Sequence, residues 1–136
     1  MSRREARDAA LAFLFQLDFR AEPLKEQREL YLQAHPLDEE DVPFFDSVVN
    51  GVCEKKDELD EAYSKYLKDW KQDRLPKVDV VILRIAVFEL LYMKDIPTNV
   101  SISEAVILTK KYSSEDSKGY VNAILGKVGK ELEENG

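Results

Sequence analysis

The stretch PKVDVVILRIAVFELLYMKDIP, residues 76–97, decides the fold because it predicts a helix that is apolar on nearly every side. Pro76 is typical of a helix start, and the sequence DIP at 95–97 ends the pattern. The charged residues inside the stretch, among them Asp79, Arg84, Glu89 and Lys94, are spaced so that they build no polar face. A helix without a polar face has to be buried by its neighbours. The stretch therefore predicts the central helix of a helical bundle.

Four helices are predicted before this stretch. The first runs from Ser2 to about Phe19, where Ser2 and Glu5 have the spacing of a capping box. The second covers about 23–32, and Asp41 begins the third. Asp57 begins the fourth. Their apolar stripes are Ala6, Ala10, Phe13, Leu14 and Leu17 in the first, Phe44, Phe45, Val48, Val49 and Val52 in the third, and Leu59, Tyr63, Tyr66, Leu67 and Trp70 in the fourth.

Two helices are predicted after the central stretch. Ser101 and Glu104 form a second capping box that predicts the start of the sixth helix. The polar residues 113–119 indicate a loop, and the last helix begins at Tyr120. The fold class is therefore all-α, with about seven helices. The apolar stripes of these two helices are Ile102, Ala105, Val106, Leu108 and Tyr112, then Tyr120, Val121, Ile124, Leu125, Val128 and Leu132.

Three arginines lie within six positions at the start of the first helix, namely Arg3, Arg4 and Arg7. Backbone N–H groups make a helix N-terminus electropositive, so a cation there costs a few tenths of a kcal/mol, up to about 1. At about 100° per residue the three side chains form one compact patch. Composition leaves two interpretations open: a solvated helix end in which Arg7 pairs with Glu5 or Asp8, and a patch that binds an external anion.

The length of 136 residues and a hydrophobic content of 44% are those of one domain with a buried core. We therefore expect a single all-helical domain over residues 1–136. The sequence contains no signal peptide and no run of roughly 18 charge-free apolar residues, so we expect a cytoplasmic protein without membrane contact. Cys53 is the only cysteine, which excludes an internal disulfide and favours a small buried side chain.

The net charge of −7 argues against a uniformly basic, nucleic-acid-binding surface. The acids are concentrated, however, because residues 38–61 contain ten acidic residues against Lys55 and Lys56. The rest of the chain is close to neutral and leaves room for a basic corner. Two functions stay open on charge alone: anion binding at that corner, and a helical protein-interaction module that uses the acidic region 38–61.

Clusters of catalytic residues are missing from the sequence. His35 is the only histidine and lies beside Pro36 in a predicted loop, where a solvent-exposed ring is the simpler interpretation. The run DEEDV at 38–42 lacks the glycine turn and alternating ligands of a calcium loop. No phosphate-binding glycine loop, dinucleotide fingerprint or spaced Cys/His set occurs either. We therefore expect no enzymatic activity, no metal and no cofactor.

A set of motifs spans the chain from the first helix to the last: RREAR (3–7), YLKDW (66–70), DRLPKVD (73–79), LRIAVFELLY (83–92), DIP (95–97), SEAVILTKKY (103–112) and YVNAIL (120–125). Together they resemble the NusB family of bacterial transcription antitermination factors. The resemblance implies two packed helical bundles that bind the boxA element of nascent RNA together with the ribosomal protein NusE. It further implies an adaptor to the RNA polymerase elongation complex that supports processive transcription, notably of ribosomal RNA operons.

The resemblance also implies which residues bind RNA: Arg3, Arg4, Arg7, Phe15, Asp116, Tyr120 and Asn122. Arginine supplies charge and fork geometry, an aromatic ring can stack on an unpaired base, and an amide or carboxylate can read a base edge. Three lysines extend the basic corner if the loop folds toward the first helix, namely Lys110, Lys111 and Lys118. The alternative is a core position for Phe15 and Tyr120, and a helix-end contact for Asn122.

Glu89, in the FEL motif, matches a family position near the side that binds NusE. Its alternative is an ion pair with Arg84 or a more distant cation. A five-residue spacing does not place two helical side chains face to face, which argues against a direct pair with Arg84.

Four positions depart from the family pattern, namely Val80, Ser103, Gly119 and Ala123. Basicity is lost near the proposed site because the family often has arginine at Val80 and a basic residue at Gly119. We therefore expect weak RNA binding by the chain alone and a steep dependence on NusE. Related helical domains occur as monomers and as dimers, so a homodimer stays open. An RNA-binding domain that precedes a methyltransferase is disfavoured because no catalytic domain follows residue 136.

Overall fold

The computed structural model describes residues 3–67 and 75–135, and within these ranges it contains seven α-helices and no strand. The helices are α1 (Arg4–Leu17), α2 (Leu24–Ala34), α3 (Val42–Glu54), α4 (Lys56–Ser64), α5 (Lys77–Tyr92), α6 (Thr98–Tyr112) and α7 (Glu115–Asn135). The predicted all-α fold is confirmed. Two predicted features, the Ser2 cap and the Trp70 core position, lie outside the described residues.

The chain divides into two compact units, an N-terminal unit (Met1–Asn50) and a C-terminal unit (Gly51–Gly136). Aromatic rings form the centre of the N-terminal unit. Phe13 of α1 lies 5.4 Å from Tyr31 of α2 and 5.8 Å from Phe45 of α3, measured between ring centroids. Edge and tilted ring contacts of this kind add to the free energy gained by burying the rings. The three helices are therefore joined through one shared cluster.

α5 is the buried centre of the C-terminal unit, as the apolar stretch 76–97 predicts. It packs against α4, α6 and α7, and eleven of its residues are buried. Arg84 donates two hydrogen bonds to Asp60 of α4, at 2.8 and 2.9 Å. Glu89 accepts one from Ser101 of α6, at 2.9 Å. Each charged side chain thus contacts a different helix, as the spacing argument expects.

The predicted start of the sixth helix is wrong by one turn. α6 begins at Thr98, directly after Pro97, whose φ of −57° and ψ of 141° are those of a residue that precedes a helix. Ser101 is therefore inside the helix, and its hydroxyl donates to Glu89 instead of capping a helix end. A Ser-x-x-Glu sequence is compatible with a serine at the N-cap and with a serine inside the helix. The hydrogen bond from Ser101 to Glu89 favours the position inside the helix.

The predicted loop 113–119 is also wrong, because α7 begins at Glu115. Ser114 caps this helix, since its Oγ accepts a hydrogen bond from the backbone N–H of Ser117 at 3.1 Å. Glu115 and Asp116 occupy the first turn, where carboxylates interact favourably with the helix dipole. A good N-cap and an acidic first turn therefore outweigh Gly119, which lies exposed within the helix.

Close helix packing explains two of the helical glycines. A Cβ on Gly51 of α3 would lie 2.1 Å from the Phe88 ring, so only glycine allows this approach to α5. A Cβ on Gly129 of α7 would lie 2.9 Å from the Thr98 methyl group of α6. Gly126 has open space around it and gains nothing from packing.

Cys53 is half-buried, so its predicted position in the core is wrong. His35 is exposed, as predicted, and its ring lies 4.6 Å from that of Tyr31. Among the helices of residues 3–67 and 75–135, none combines the length and the apolar character that crossing a membrane demands.

Candidate nucleic-acid interface

The arginine patch at the start of α1 lies against an aromatic ring. The guanidinium carbons of Arg3 and Arg7 are 5.0 and 5.1 Å from the centroid of the Phe44 ring, at the start of α3. At such distances the electron-rich face of a ring attracts a cation. Two like charges are thus held near each other by one neutral side chain. The sequence pattern places Phe44 in the core stripe and gives no sign of this second role.

The three arginines differ in exposure. Arg3 and Arg4 are exposed, whereas only 4% of Arg7 is accessible. A phosphate in solvent cannot reach a buried guanidinium without a rearrangement, so the phosphate contact of Arg7 stays a prediction. The arrangement instead suits Arg7 to holding the patch against Phe44, and leaves Arg3 and Arg4 as the residues presented to solvent.

Carboxylates lie close together in the same unit. One carboxylate oxygen each from Glu5, Asp38 and Asp41 lies within 4.8 Å of the others. Asp41 is buried, and its Oδ2 accepts no hydrogen bond from the described residues. Three such groups are close enough to ligate one cation. They also lie near the arginine patch, because Asp41 is one helical turn before Phe44, and the ring of Phe44 has two guanidiniums over it. These carboxylates therefore reduce the positive potential of the patch.

Phe15 is exposed on α1, with 37% of its side chain accessible, which contradicts the alternative of a core position. Its ring makes an edge contact with Phe19, at 5.8 Å between centroids. Both rings are therefore exposed at the C-terminal end of α1. The sequence pointed to Phe15 through the family resemblance alone and did not single out Phe19.

Tyr120 is half-buried at the beginning of α7 and is tied to α5. Its hydroxyl donates to Oδ2 of Asp79, which also accepts a hydrogen bond from Ser117 at 2.5 Å. Burial, together with the hydrogen bond to Asp79, raises the pKa of Tyr120 to about 12. Tyr120 therefore stays neutral at physiological pH, and Asp79 fixes the position of its ring.

The other candidates of the C-terminal unit lie on its surface. Asp116 and Asn122 are exposed on α7, and Asn122 is inside the helix, so the alternative of a helix-end contact is wrong for it. Lys118 forms an ion pair with Glu115 at 3.0 Å, and this hydrogen bond lowers the pKa of Glu115. Lys110 and Lys111 are exposed in the last turn of α6.

Glu89, which the resemblance places near the NusE-binding side, is buried in the C-terminal unit. Only 1% of it is accessible, and its carboxylate accepts the hydrogen bond from Ser101 inside the C-terminal unit. The predicted partner contact therefore needs this carboxylate to become accessible, and it stays a prediction. Tyr92, one turn further along α5, is exposed instead, with the Lys55 ammonium 4.8 Å from its ring and its hydroxyl donating to Glu58.

The acidic region 38–61 uses several of its carboxylates internally. Asp46 accepts two hydrogen bonds from Arg28, at 2.7 and 2.8 Å, and Asp60 accepts two from Arg84. Bidentate arginine pairs of this kind fix the geometry of the carboxylate. Those acids contribute to the fold, which weakens the case for the region as a protein-binding surface.

Comparison with known proteins agrees with this architecture. The model of the NusB family matches residues 4–130. The transcription antitermination protein NusB of Bacillus subtilis is 43% identical over 136 residues, covering 99% of this chain and 100% of that protein. The T. maritima NusB structure superimposes with a TM-score of 0.87 at 37% identity, over 96% of this chain and 92% of that one.

A crystal structure of the antitermination factors NusB and NusE in complex with double-stranded RNA is also similar. Its matching chain has a TM-score of 0.83 and 27% identity, with 94% of this chain and 96% of that chain covered. Sequence, family model and fold agree over nearly the whole length. The chain belongs to the NusB family.

Proposed function

We propose that the chain is a transcription antitermination factor that binds boxA RNA together with NusE and so supports processive transcription, notably of ribosomal RNA operons. The family membership supports this role, as does the similar structure of NusB and NusE with RNA. The observation that carries the proposal is the exposure of Arg3 and Arg4 at the N-terminus of α1. The function is one of binding, without a catalytic step.

The start of α1 is suited to phosphate. Arg3 and Arg4 add two positive charges to a helix end whose N–H groups already favour an anion. Their guanidiniums can form paired hydrogen bonds with phosphate oxygens. An RNA phosphate thus offsets the cost of placing cations at this end of the helix. Arg7, held under the patch beside Phe44, positions this surface.

The start of α7 is suited to reading a base. The exposed Asp116 and Asn122 offer an acceptor and an amide for base edges, and the ring of Tyr120 is fixed by Asp79. Lysines on α6 and α7 add charge in the same unit, namely Lys110, Lys111 and Lys118. Each unit contributes its own set of contacts, and residues 1–136 act as one RNA-binding domain.

NusE is needed for tight binding. The chain has a net charge of −7, so the long-range potential does not attract RNA. The carboxylates of Glu5, Asp38 and Asp41 further weaken the field at the arginine patch. Contacts that NusE makes with the same RNA would compensate both effects, with the polymerase contacted through this assembly.

A titration of boxA RNA tests the proposal. Wild type and the Arg3→Ala/Arg4→Ala variant are compared with and without NusE, at several salt concentrations. We expect NusE to strengthen wild-type binding, and the double substitution to weaken it and to reduce the salt slope by about 0.7 for each phosphate that the variant no longer neutralises. The matched control is Lys94→Ala/Lys130→Ala, which removes the same charge from exposed positions elsewhere.

Equal affinity of wild type with and without NusE, or an equal decrease in affinity for the double variant and its control, contradicts the proposal. The cytoplasmic location follows from a role in transcription. The homodimer stays a prediction, which sedimentation of the free chain and of its RNA complex tests directly.

A further inference from the structure

Phe19 is a large apolar side chain in an unusual position, since 68% of it is exposed directly after the last turn of α1. Its ring packs edge-on against Phe15, which is itself exposed. Exposure of one apolar residue is ordinary, but two adjacent rings on the surface indicate a binding site.

The turn that carries Phe19 is fixed before any ligand arrives. The backbone N–H of Phe19 donates to the carbonyl of Gln16 at 3.0 Å. The buried amide of Gln27 donates to the carbonyls of Leu17 and Glu22, at 3.3 and 2.7 Å, and so clamps both ends of the turn. A ring held on a fixed turn loses little conformational entropy on binding.

The rings share a helix face with the arginine patch. Arg4 and Phe15 are eleven residues apart on α1, which is close to three full turns, so their side chains project from the same side. At about 1.5 Å per residue, the path from Arg4 to Phe19 is on the order of 22 Å along the helix axis. An unpaired RNA strand that begins at the arginines can therefore reach both rings within a few nucleotides.

The chemistry at this end of α1 favours a base over a phosphate. The helix C-terminus carries negative partial charge, which repels anions. Arg20, the nearest cation along the chain, donates two hydrogen bonds to Glu22, both at 3.1 Å, so its charge is locally balanced. Aromatic side chains bind unpaired bases by stacking, whatever the base.

We propose that Phe19, together with Phe15, forms a base-stacking position for the unpaired RNA strand whose phosphates Arg3 and Arg4 bind. This inference rests on the proposed function and adds a residue and a direction to it: the strand runs along α1 from its N-terminus to its C-terminal turn. Gln27 is the positioning residue for the ring.

An abasic scan of boxA RNA in the presence of NusE tests the proposal. Affinities of wild type and Phe19→Leu are measured for the intact RNA and for RNAs that lack one base at successive positions. We expect Phe19→Leu to weaken binding of intact RNA about fivefold, the lower range for one stacked base. At one position, removal of the base should weaken wild type by a similar factor and leave Phe19→Leu unchanged, which is the signature of a direct contact.

Leu30→Ala, which removes another exposed apolar side chain, is the matched control and should not change the scan. Equal affinities of wild type and Phe19→Leu for every RNA would overturn the inference. So would a Phe19→Leu variant that loses NusE binding or self-association but binds RNA normally, because the rings would then contact protein. If Arg3→Ala/Arg4→Ala binds RNA as wild type does, the proposed function fails as well; if only the Phe19 effect is missing, the function stands.

Discussion

The hydroxyl of Tyr120 on α7 donates a hydrogen bond to the carboxylate of Asp79, which is fully buried on α5. Ser117, one turn earlier on α7, donates to the same carboxylate oxygen. A single acidic residue of the central helix thus fixes the beginning of the last helix, where the proposed base-reading residues lie. In the sequence, Asp79 interrupts an apolar helix. In the structure, it accepts the hydrogen bonds that hold the first turns of α7 against α5.

We predict that Tyr120→Phe lowers the free energy of unfolding by about 1–2 kcal/mol at pH 7, because one hydrogen bond to a buried carboxylate is removed. Urea unfolding measures the change. Asp79 keeps the hydrogen bond from Ser117, so the variant should still fold. An unchanged midpoint would mean that the hydroxyl contributes nothing to the fold.

The same tyrosine predicts a pH dependence. Its pKa of about 12 in the folded chain lies above the ordinary value of 10.0, so the folded state holds the phenol proton more tightly than the unfolded state. The resulting stability is complete below pH 10 and is lost as the pH rises toward 12. We expect wild type to lose stability more steeply than Tyr120→Phe between pH 10 and 12, measured by urea unfolding. Parallel curves would contradict the assignment.

Arg7 and Arg3 should respond differently to substitution. Arg7→Ala removes a buried cation from the Phe44 ring and should cost about 1–3 kcal/mol of stability, whereas Arg3→Ala at an exposed position should cost less than about 1. The salt slope of RNA binding should fall with Arg3→Ala and stay unchanged with Arg7→Ala. A reduced slope for Arg7→Ala would restore the direct phosphate contact that the family resemblance implies for it.

Substitutions at Glu89 distinguish a structural role inside the C-terminal unit from a direct contact with NusE. Glu89→Gln keeps an acceptor for the Ser101 hydroxyl and should leave the affinity for NusE unchanged. Glu89→Ala removes that acceptor from a buried hydroxyl and should lower the free energy of unfolding by about 1–3 kcal/mol. Calorimetric titration with NusE and thermal unfolding separate the two effects. Loss of NusE affinity in a stably folded Glu89→Gln would show that the carboxylate itself meets the partner.

Two glycines should respond to alanine in opposite ways. Gly126→Ala should raise the free energy of unfolding by about 1 kcal/mol, because the site is open and alanine is the better helix former. Gly51→Ala should lower it by about 1–3 kcal/mol, because the new Cβ collides with the Phe88 ring. Chemical denaturation of both variants checks the pair, and a stabilised Gly51→Ala would disprove the close helix approach.

The central helix was predictable because its apolar character is a local property that any sequence window reveals. The starts of α6 and α7 were not, since a serine near a helix start can either cap its own helix or hydrogen-bond to another helix. Ser114 caps its own helix, whereas Ser101 bonds to a carboxylate twelve residues away, on another helix. Local pattern fixes the existence of a helix better than its first residue.

The candidate site divides in the same way. Arginines at a helix N-terminus are conspicuous in sequence because they oppose the dipole, and Arg3 and Arg4 are indeed exposed. The burial of Arg7 depends on Phe44 from another helix. The burial of Glu89 depends on α6, whose Ser101 donates a hydrogen bond to it. The sequence does not distinguish Phe19, because an aromatic residue after a helix is as typical of a core as of a surface, and only the fold separates the two.

Crosslinking of boxA RNA to the complex of this chain with NusE tests the central claim most directly. Irradiated complexes are digested, and the peptides that carry RNA are identified by mass spectrometry. We predict crosslinks within residues 3–19 and 115–122, and their disappearance from the first segment in Arg3→Ala/Arg4→Ala. Crosslinks confined to the acidic region 38–61, or none to this chain while NusE is labelled, would contradict RNA recognition by the arginine-rich helix.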